Sequence, residues 1–508
     1  MSDSKNRKLG AVLSYASIII STLVQLLYTP LLIKMLGQGE YGLYSLASSI
    51  IGYLTVLDLG FGNAIIVYTA KYREQKLYEK EKQLHGMFLI IFCVIGLIAG
   101  MLGLLLYFNV GNIFGNTMSY GELNKAKIMM LILSFNLAIT FPFSIYSSII
   151  SAYERFTFQK IMSIINTLLK PIIMIPLLFL GFKSITMTVV ITIVNIIVML
   201  SNYFYCKNRL NIKIRFYGFD KNLFKEILSY SIFIFIAVIV DKINWSVDQF
   251  ILGAVSGTIA VSLYAVASQL NTLFINLSTA ISGVMLPKMS KMIANNATDN
   301  EITNEFIKVG RMQYFVVFLM VSGLVLFGKE FIITWAGKDF ETSYYIAIIL
   351  IIPLSIPLIQ NLGLSIMQAK NMHKFRSIMC AIIAMVNIVI SIPLAKLYGG
   401  IGSAIGTSVS LIIGNIIIMN IYYQKKVGIN VVKFWKQILK MLIVSFIPIL
   451  IMLILMCFID LHGYIYLLVF GSLYVILYFV ISYFVIMNNY EKNIVNKVIK
   501  KFKGKAIF

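Results

Sequence analysis

The chain has 508 residues, of which 59% are hydrophobic and 12% charged, with a mean hydropathy of +0.88 and a net charge of +23. A soluble chain carries about 25% charged residues, so this composition excludes a soluble multidomain enzyme and indicates an integral membrane protein. The positive balance would suit nucleic acid, but the lysines and arginines are distributed in a way that gives it a different meaning.

Fourteen apolar runs follow one another, near 11–33, 43–70, 86–108, 125–150, 161–181, 185–206, 227–253, 260–287, 309–328, 344–367, 377–395, 402–423, 438–458 and 464–487. Runs of about 18 to 25 residues suffice to cross ~30 Å of hydrocarbon as a helix. The runs at 227–253 and 260–287 are long enough to tilt or break. The first run follows Lys5, Arg7 and Lys8; it is too long for the core of a signal peptide and lacks a small-residue cleavage site, so it reads as an uncleaved anchor. All nine prolines lie in or at the edge of a run. Pro171 with Pro176, and Pro353 with Pro357, mark candidate bends, because proline removes an i→i−4 hydrogen bond. Cys93, Cys206, Cys380 and Cys457 are scattered, with no spacing that suggests a disulfide framework or a metal site. His85, His373 and His462 share no motif. The tail places Ile494, Val495, Val498, Ile499 and Phe502 on one helical face among lysines. It is expected to lie on the anionic cytoplasmic leaflet, with a frayed basic tail as the alternative.

The hydrophobic pattern is written twice. Leu13-Ser14-Tyr15 recurs as Leu228-Ser229-Tyr230, Leu36-Gly37 as Leu252-Gly253, and Ile175-Pro176-Leu177 as Ile392-Pro393-Leu394. Asn195-Ile196-Ile197 recurs as Asn415-Ile416-Ile417. Six spans separate each motif from its copy, so the two halves enter the membrane in the same direction, as parallel repeats. The expected fold is an all-α polytopic membrane protein of about fourteen transmembrane helices. Residues 1–210 form an N-terminal six-helix lobe, 220–424 a C-terminal six-helix lobe, 438–487 an accessory pair, and 488–508 a basic amphipathic tail. When the loops are assigned to alternate sides, 34 lysines and arginines fall on one side and 7 on the other. That asymmetry places both termini and the basic loops in the cytoplasm. The excess charge therefore records orientation and does not indicate a nucleic-acid partner.

Ionisable residues inside spans are the most informative, because each costs about 2.5–3.5 kcal/mol at a helix centre. They are Asp58 in span two, Lys170 in span five, and Asp241, Lys242 and Asp248 in span seven. Counted from the cytoplasmic Lys71 and Lys160, Asp58 and Lys170 sit at similar depth, roughly 15–18 Å in. Asn166 shares a face with Lys170, Trp245 shares one with Asp241 and Asp248, and Ser21, Gln25 and Tyr28 share one on span one. Two readings fit. In one, Asp58 with Lys170, or Asp241 with Lys242 and Asp248, form interhelical pairs that fix packing. In the other, Lys170 and Lys242 attract an anionic substrate, with Trp245, Gln25 and Asn166 beside them, while a carboxylate couples to H+ or Na+. No metal site and no cofactor are expected.

The stretch from Leu36-Gly37-Gln38-Gly39-Glu40-Tyr41-Gly42 to Leu46, followed by Asp58-Leu59-Gly60-Phe61-Gly62-Asn63-Ala64, resembles the Wzx-type polysaccharide flippases. These belong to the multidrug/oligosaccharidyl-lipid/polysaccharide exporter superfamily. The resemblance implies movement of an undecaprenyl-diphosphate-linked oligosaccharide across the bacterial cytoplasmic membrane, for O-antigen, capsule or exopolysaccharide assembly. It also implies two lobes around a cationic cavity, with glycosyltransferases and a polysaccharide polymerase as pathway partners. A lipid II or spore-coat flippase and a cation-coupled multidrug exporter are alternatives within that superfamily. A membrane glycosyltransferase or polymerase is the enzymatic alternative. It should carry catalytic acids in an outer loop, whereas Glu40, Glu122, Glu330, Asp339, Glu341 and Asp460 form no evident constellation in the sequence.

Overall fold

The computed structural model describes all residues except 1–2, 217–222, 226, 229–245, 283–284, 371, 459–462 and 504–508. Every regular element among the described residues is helical. The first part of the chain forms α1 (Asp3–Leu36), α2 (Gln38–Leu54), α3 (Phe61–Glu74), α4 (Tyr78–Phe114), α5 (Tyr120–Ala152), α6 (Phe156–Phe179) and α7 (Ser184–Asn208). A short apolar helix α8 (Ser246–Val255) precedes α9 (Gly257–Ser282) and α10 (Leu286–Ala294). Then come α11 (Asp299–Ala336), α12 (Glu341–Ile359), α13 (Leu362–Ala369), α14 (His373–Leu411), α15 (Met419–Tyr422), α16 (Val431–Phe458), α17 (Gly463–Ile481) and α18 (Asn489–Lys503).

Twelve described stretches are long and apolar enough to cross a membrane. One of them, Ile378–Val427, runs through Gly399, whose φ of 55° and ψ of −133° turn the chain, so this stretch holds two of the expected spans. The seventh expected span lies largely outside the described residues and ends in α8. The fold is thus the all-α polytopic membrane architecture that the apolar runs predict.

The chain divides into two compact units, Met1–Ala265 with Ser391–Ser403, and Val266–Ile390 with Ala404–Phe508. This division differs from the boundaries suggested by the duplicated sequence, because the first unit includes α8, the start of α9 and residues 391–403. Hydrogen bonds within the first unit show why. Thr117 Oγ1 donates to the Gly253 carbonyl at 2.7 Å, Thr258 Oγ1 to Glu122 Oε1 at 2.8 Å, and Ser256 Oγ to the Ala395 carbonyl at 2.9 Å. In the same region Glu40 accepts from Lys125 Nζ and Ser184 Oγ. Glu40 and Glu122, dispersed in the sequence, are both engaged as hydrogen-bond acceptors, and Lys125, which donates to Glu40, also acts electrostatically on Glu122.

Inside the first unit, α4 packs on α5, α5 on α7, and α1 on α6. One core joins Leu32 and Leu36 of α1 to Met174 and Leu178 of α6 and to Met187, Val190 and Val194 of α7. In the second unit α11 packs on α12, α16 and α17, with Phe327, Met452, Phe470 and Tyr474 buried together.

Among the described residues, breaks interrupt the tenth and the second span, and their causes differ. The tenth span stops at Ile359 and resumes at Leu362, just after Pro357. At the break the Leu358 carbonyl keeps a backbone partner in the Asn361 N–H and also accepts from Ser278 Oγ at 2.9 Å, the kind of side-chain support that a broken helix in hydrocarbon needs. By contrast, Pro171 and Pro176 lie within the continuous α6. The second span breaks without proline, through Leu59 (φ 52°) and Gly60 (φ 73°) between Asp58 and α3. The left-handed region favours glycine, and the consecutive pair ends the first helix before α3 begins at Phe61.

Candidate functional site

Lys170 lies fourteen residues into α6, roughly 21 Å from its start and about 14 Å from its end at 1.5 Å per residue. It lines a cavity of about 420 Å³ within the first unit. Tyr28 of α1, Tyr44 and Ser48 of α2, Asn136 and Thr140 of α5, and Asn195 of α7 supply the other principal polar groups of its wall. Leu133, Leu137, Met174 and Val190 supply an apolar surface beside them. The side chains converge because α1 packs against α6, and α2 and α5 both meet α7.

Several wall groups are already oriented. Asn136 Nδ2 donates to Thr192 Oγ1 at 3.2 Å, and Thr140 Oγ1 donates to the Asn136 carbonyl at 2.8 Å. Lys170 is different. It is half-buried, and among the described residues no carboxylate lies within 4.0 Å of its ammonium. An ammonium facing a polar cavity in the middle of a span escapes most of the cost of facing lipid.

The Asp58–Lys170 ion pair, one of the two readings that the sequence leaves open, is absent. Asp58 instead accepts hydrogen bonds from the backbone N–H groups of Gly60 and Gly62 at the start of α3. Amides at a helix N-terminus are natural partners for a carboxylate, so the break in span two accounts for this charge locally. Asp248 is 1% exposed. Its carboxylate accepts from Tyr264 Oη and Ser403 Oγ, both at 2.7 Å, and so ties three segments of the first unit together.

The remaining sequence candidates are less convergent. Gln25 is exposed on α1 and lies outside the cavity wall, whereas Tyr28 on the same face enters it. Asn166 is half-buried one turn before Lys170, its Oδ1 buried and without a hydrogen-bond partner among the described residues, and it does not line the cavity. Asp241, Lys242 and Trp245 lie outside the described residues. Tyr44, Asn136, Thr140 and Asn195 carry no charge, so the cost of intramembrane charge does not mark them as site residues. The sequence signal for Asn136 and Asn195 is an amide inside an apolar run.

The family model described as "Polysaccharide biosynthesis protein" matches residues 9–293, more than half of the chain. The chain is 21% identical over 410 residues to the "Putative O-antigen transporter" of Shigella flexneri, covering 79% of this chain and 94% of that protein. Among solved structures it is similar to the lipid II flippase MurJ in an inward closed conformation, with a TM-score of 0.73 and 21% identity over 93% of this chain and 98% of that one. It is also similar to an inward-facing multidrug resistance MATE family transporter of the MOP superfamily, with a TM-score of 0.64 and 12% identity over 78% and 92% of the two chains. These likenesses establish a shared fold. With the family match they agree with the resemblance carried by Leu36–Leu46 and Asp58–Ala64, and the chain belongs to the polysaccharide biosynthesis protein family.

Proposed function

We propose that this multi-pass membrane protein moves a polyprenyl-diphosphate-linked oligosaccharide between the leaflets of the bacterial cytoplasmic membrane, for assembly of a surface polysaccharide. The observation that carries the reading is Lys170, a cation without an ion-pair partner among the described residues, in a mid-span cavity walled by tyrosine, amide and hydroxyl groups. A diphosphate needs a cation and hydrogen-bond donors, sugar hydroxyls need amides and aromatic faces, and the polyprenyl tail can stay in lipid. Family membership and the O-antigen transporter relative support the same substrate class.

Lys242 and Trp245 are proposed as a second part of the anionic path in span seven, and Gln25 as a contact of the exposed face of α1. The partners of Asp58 and Asp248 favour structural duties for these two carboxylates. Coupling to H+ or Na+ is then assigned to Asp241. Both termini are placed in the cytoplasm by the positive-inside asymmetry, and the glycosyltransferases and polymerase of the same pathway are the expected functional partners.

The test is surface polysaccharide per unit of membrane-inserted protein. Lys170→Arg is expected to retain much of the export and Lys170→Gln to lose most of it at normal protein levels. Normal export by Lys170→Gln would refute a role for this cation.

A further inference from the structure

We infer that α18 is a docking surface for an anionic phospholipid leaflet, set in a fixed orientation by a buried ion pair with α11. The chain leaves the last membrane-spanning helix at Met487, whose ψ of 132° is extended, and restarts at once as α18. Asn488 and Glu491 cap the new helix reciprocally: the Glu491 N–H donates to Asn488 Oδ1 and the Asn488 N–H to Glu491 Oε2, both at 2.9 Å. The same carboxylate accepts from Arg311 Nε at 2.6 Å and from Arg311 Nη2 at 2.8 Å, and Nη2 also donates to the Ile486 carbonyl at 3.1 Å. Arg311 is 8% and Glu491 5% exposed. Further along, Lys308 lies 3.8 Å over the Tyr490 ring, and Tyr483 Oη donates to Asn496 Oδ1 at 3.0 Å. A frayed tail needs none of these contacts.

The clasp decides which side of the helix faces inward. Glu491 is buried, Ile494 and Val495 are half-buried, and Asn493 and Lys497 are exposed. In the sequence, Val498, Ile499 and Phe502 continue the apolar i, i+4, i+8 spacing that starts at Ile494 and Val495. Glu491 is the only acidic residue in 489–508, and Arg311 engages it. Lys497, Lys500, Lys501 and Lys503 thus have no acidic neighbour within the tail. A basic amphipathic helix that directly follows a membrane span has the surface of an anionic leaflet as its matching partner. Each lysine at such a surface contributes about fivefold to the partition.

The experiment uses the full chain with its four cysteines replaced by alanine and Phe502→Cys labelled with an environment-sensitive fluorophore. The protein is reconstituted in phosphatidylcholine nanodiscs with or without phosphatidylglycerol. Phosphatidylglycerol is expected to shift the emission to the blue, high salt to reverse the shift, and Lys→Gln at 497, 500, 501 and 503 together to abolish it without changing the elution profile. Equal emission in neutral and anionic discs would overturn the inference, as would an undiminished response of the quadruple variant. Energy transfer between differently labelled copies, in place of a lipid response, would assign the face to self-association and also overturn it.

Discussion

Replacing Gly42 with alanine tests how closely the motif segment packs. A Cβ at this position lies 1.9 Å from the Thr258 carbonyl oxygen, 2.8 Å from the carbonyl carbon and 3.2 Å from Ser262 Cβ. Close carbon–oxygen contacts fall near 3.3 Å, so α2 and the start of α9 must separate by roughly 1.4 Å at this point. The obstacle is backbone, and the Thr258 side chain is itself held by Glu122 at 2.8 Å, so rotation of a flexible group cannot relieve it. Overpacking costs about 1–3 kcal/mol, and the upper end applies to a backbone clash. Alanine returns up to about 1 kcal/mol through helix propensity, leaving a net loss of about 2 kcal/mol. Gly39 is the internal control, since the nearest atoms to its added Cβ are 3.9 Å away. Thermal unfolding of both purified variants in the same detergent is the assay. Gly42→Ala is expected to unfold well below Gly39→Ala, and an equal or higher midpoint for Gly42→Ala would refute the packing argument.

Other outcomes follow from the polar contacts. Arg311→Gln and Glu491→Gln each leave a buried charge without its partner, and each is expected to cost about 3–5 kcal/mol; the double variant should recover part of the loss in the same unfolding assay. Tyr264→Phe and Ser403→Ala each remove one donor from buried Asp248 and are expected to cost about 1.5–3 kcal/mol, read from thermal midpoints. Glu40→Gln, at a pair whose lysine is 41% exposed, should cost no more than about 1 kcal/mol, which a double-mutant cycle with Lys125→Ala would check. Single cysteines at Ser2 and Gly504 are expected to react with impermeant reagents only from the cytoplasmic side, and one at Gly111 only from outside; labelling of the tail in intact cells would contradict the proposed topology.

The sequence by itself determined the solvent, the class of fold and where the scarce charges lie along each span. Hydrocarbon imposes its cost residue by residue, so apolar run length and intramembrane charge are local quantities that can be read without knowing what packs where. Lys170 was legible for that reason, and so was the motif around Gly42, although its packing against Thr258 was not. Only the tertiary structure decided what each charge does. Equal depth suggested pairing Asp58 with Lys170, yet a left-handed turn at Leu59-Gly60 supplied Asp58 with backbone amides and left the lysine facing a cavity. Asp248 found its donors at Tyr264 and, 155 residues away, at Ser403. Glu40 and Glu122, unremarkable in the sequence, both come under the influence of Lys125, and each accepts a hydrogen bond from a distant segment. Partner choice depends on how each helix is rotated and which distant helix it touches, and hydropathy along the chain is nearly indifferent to both.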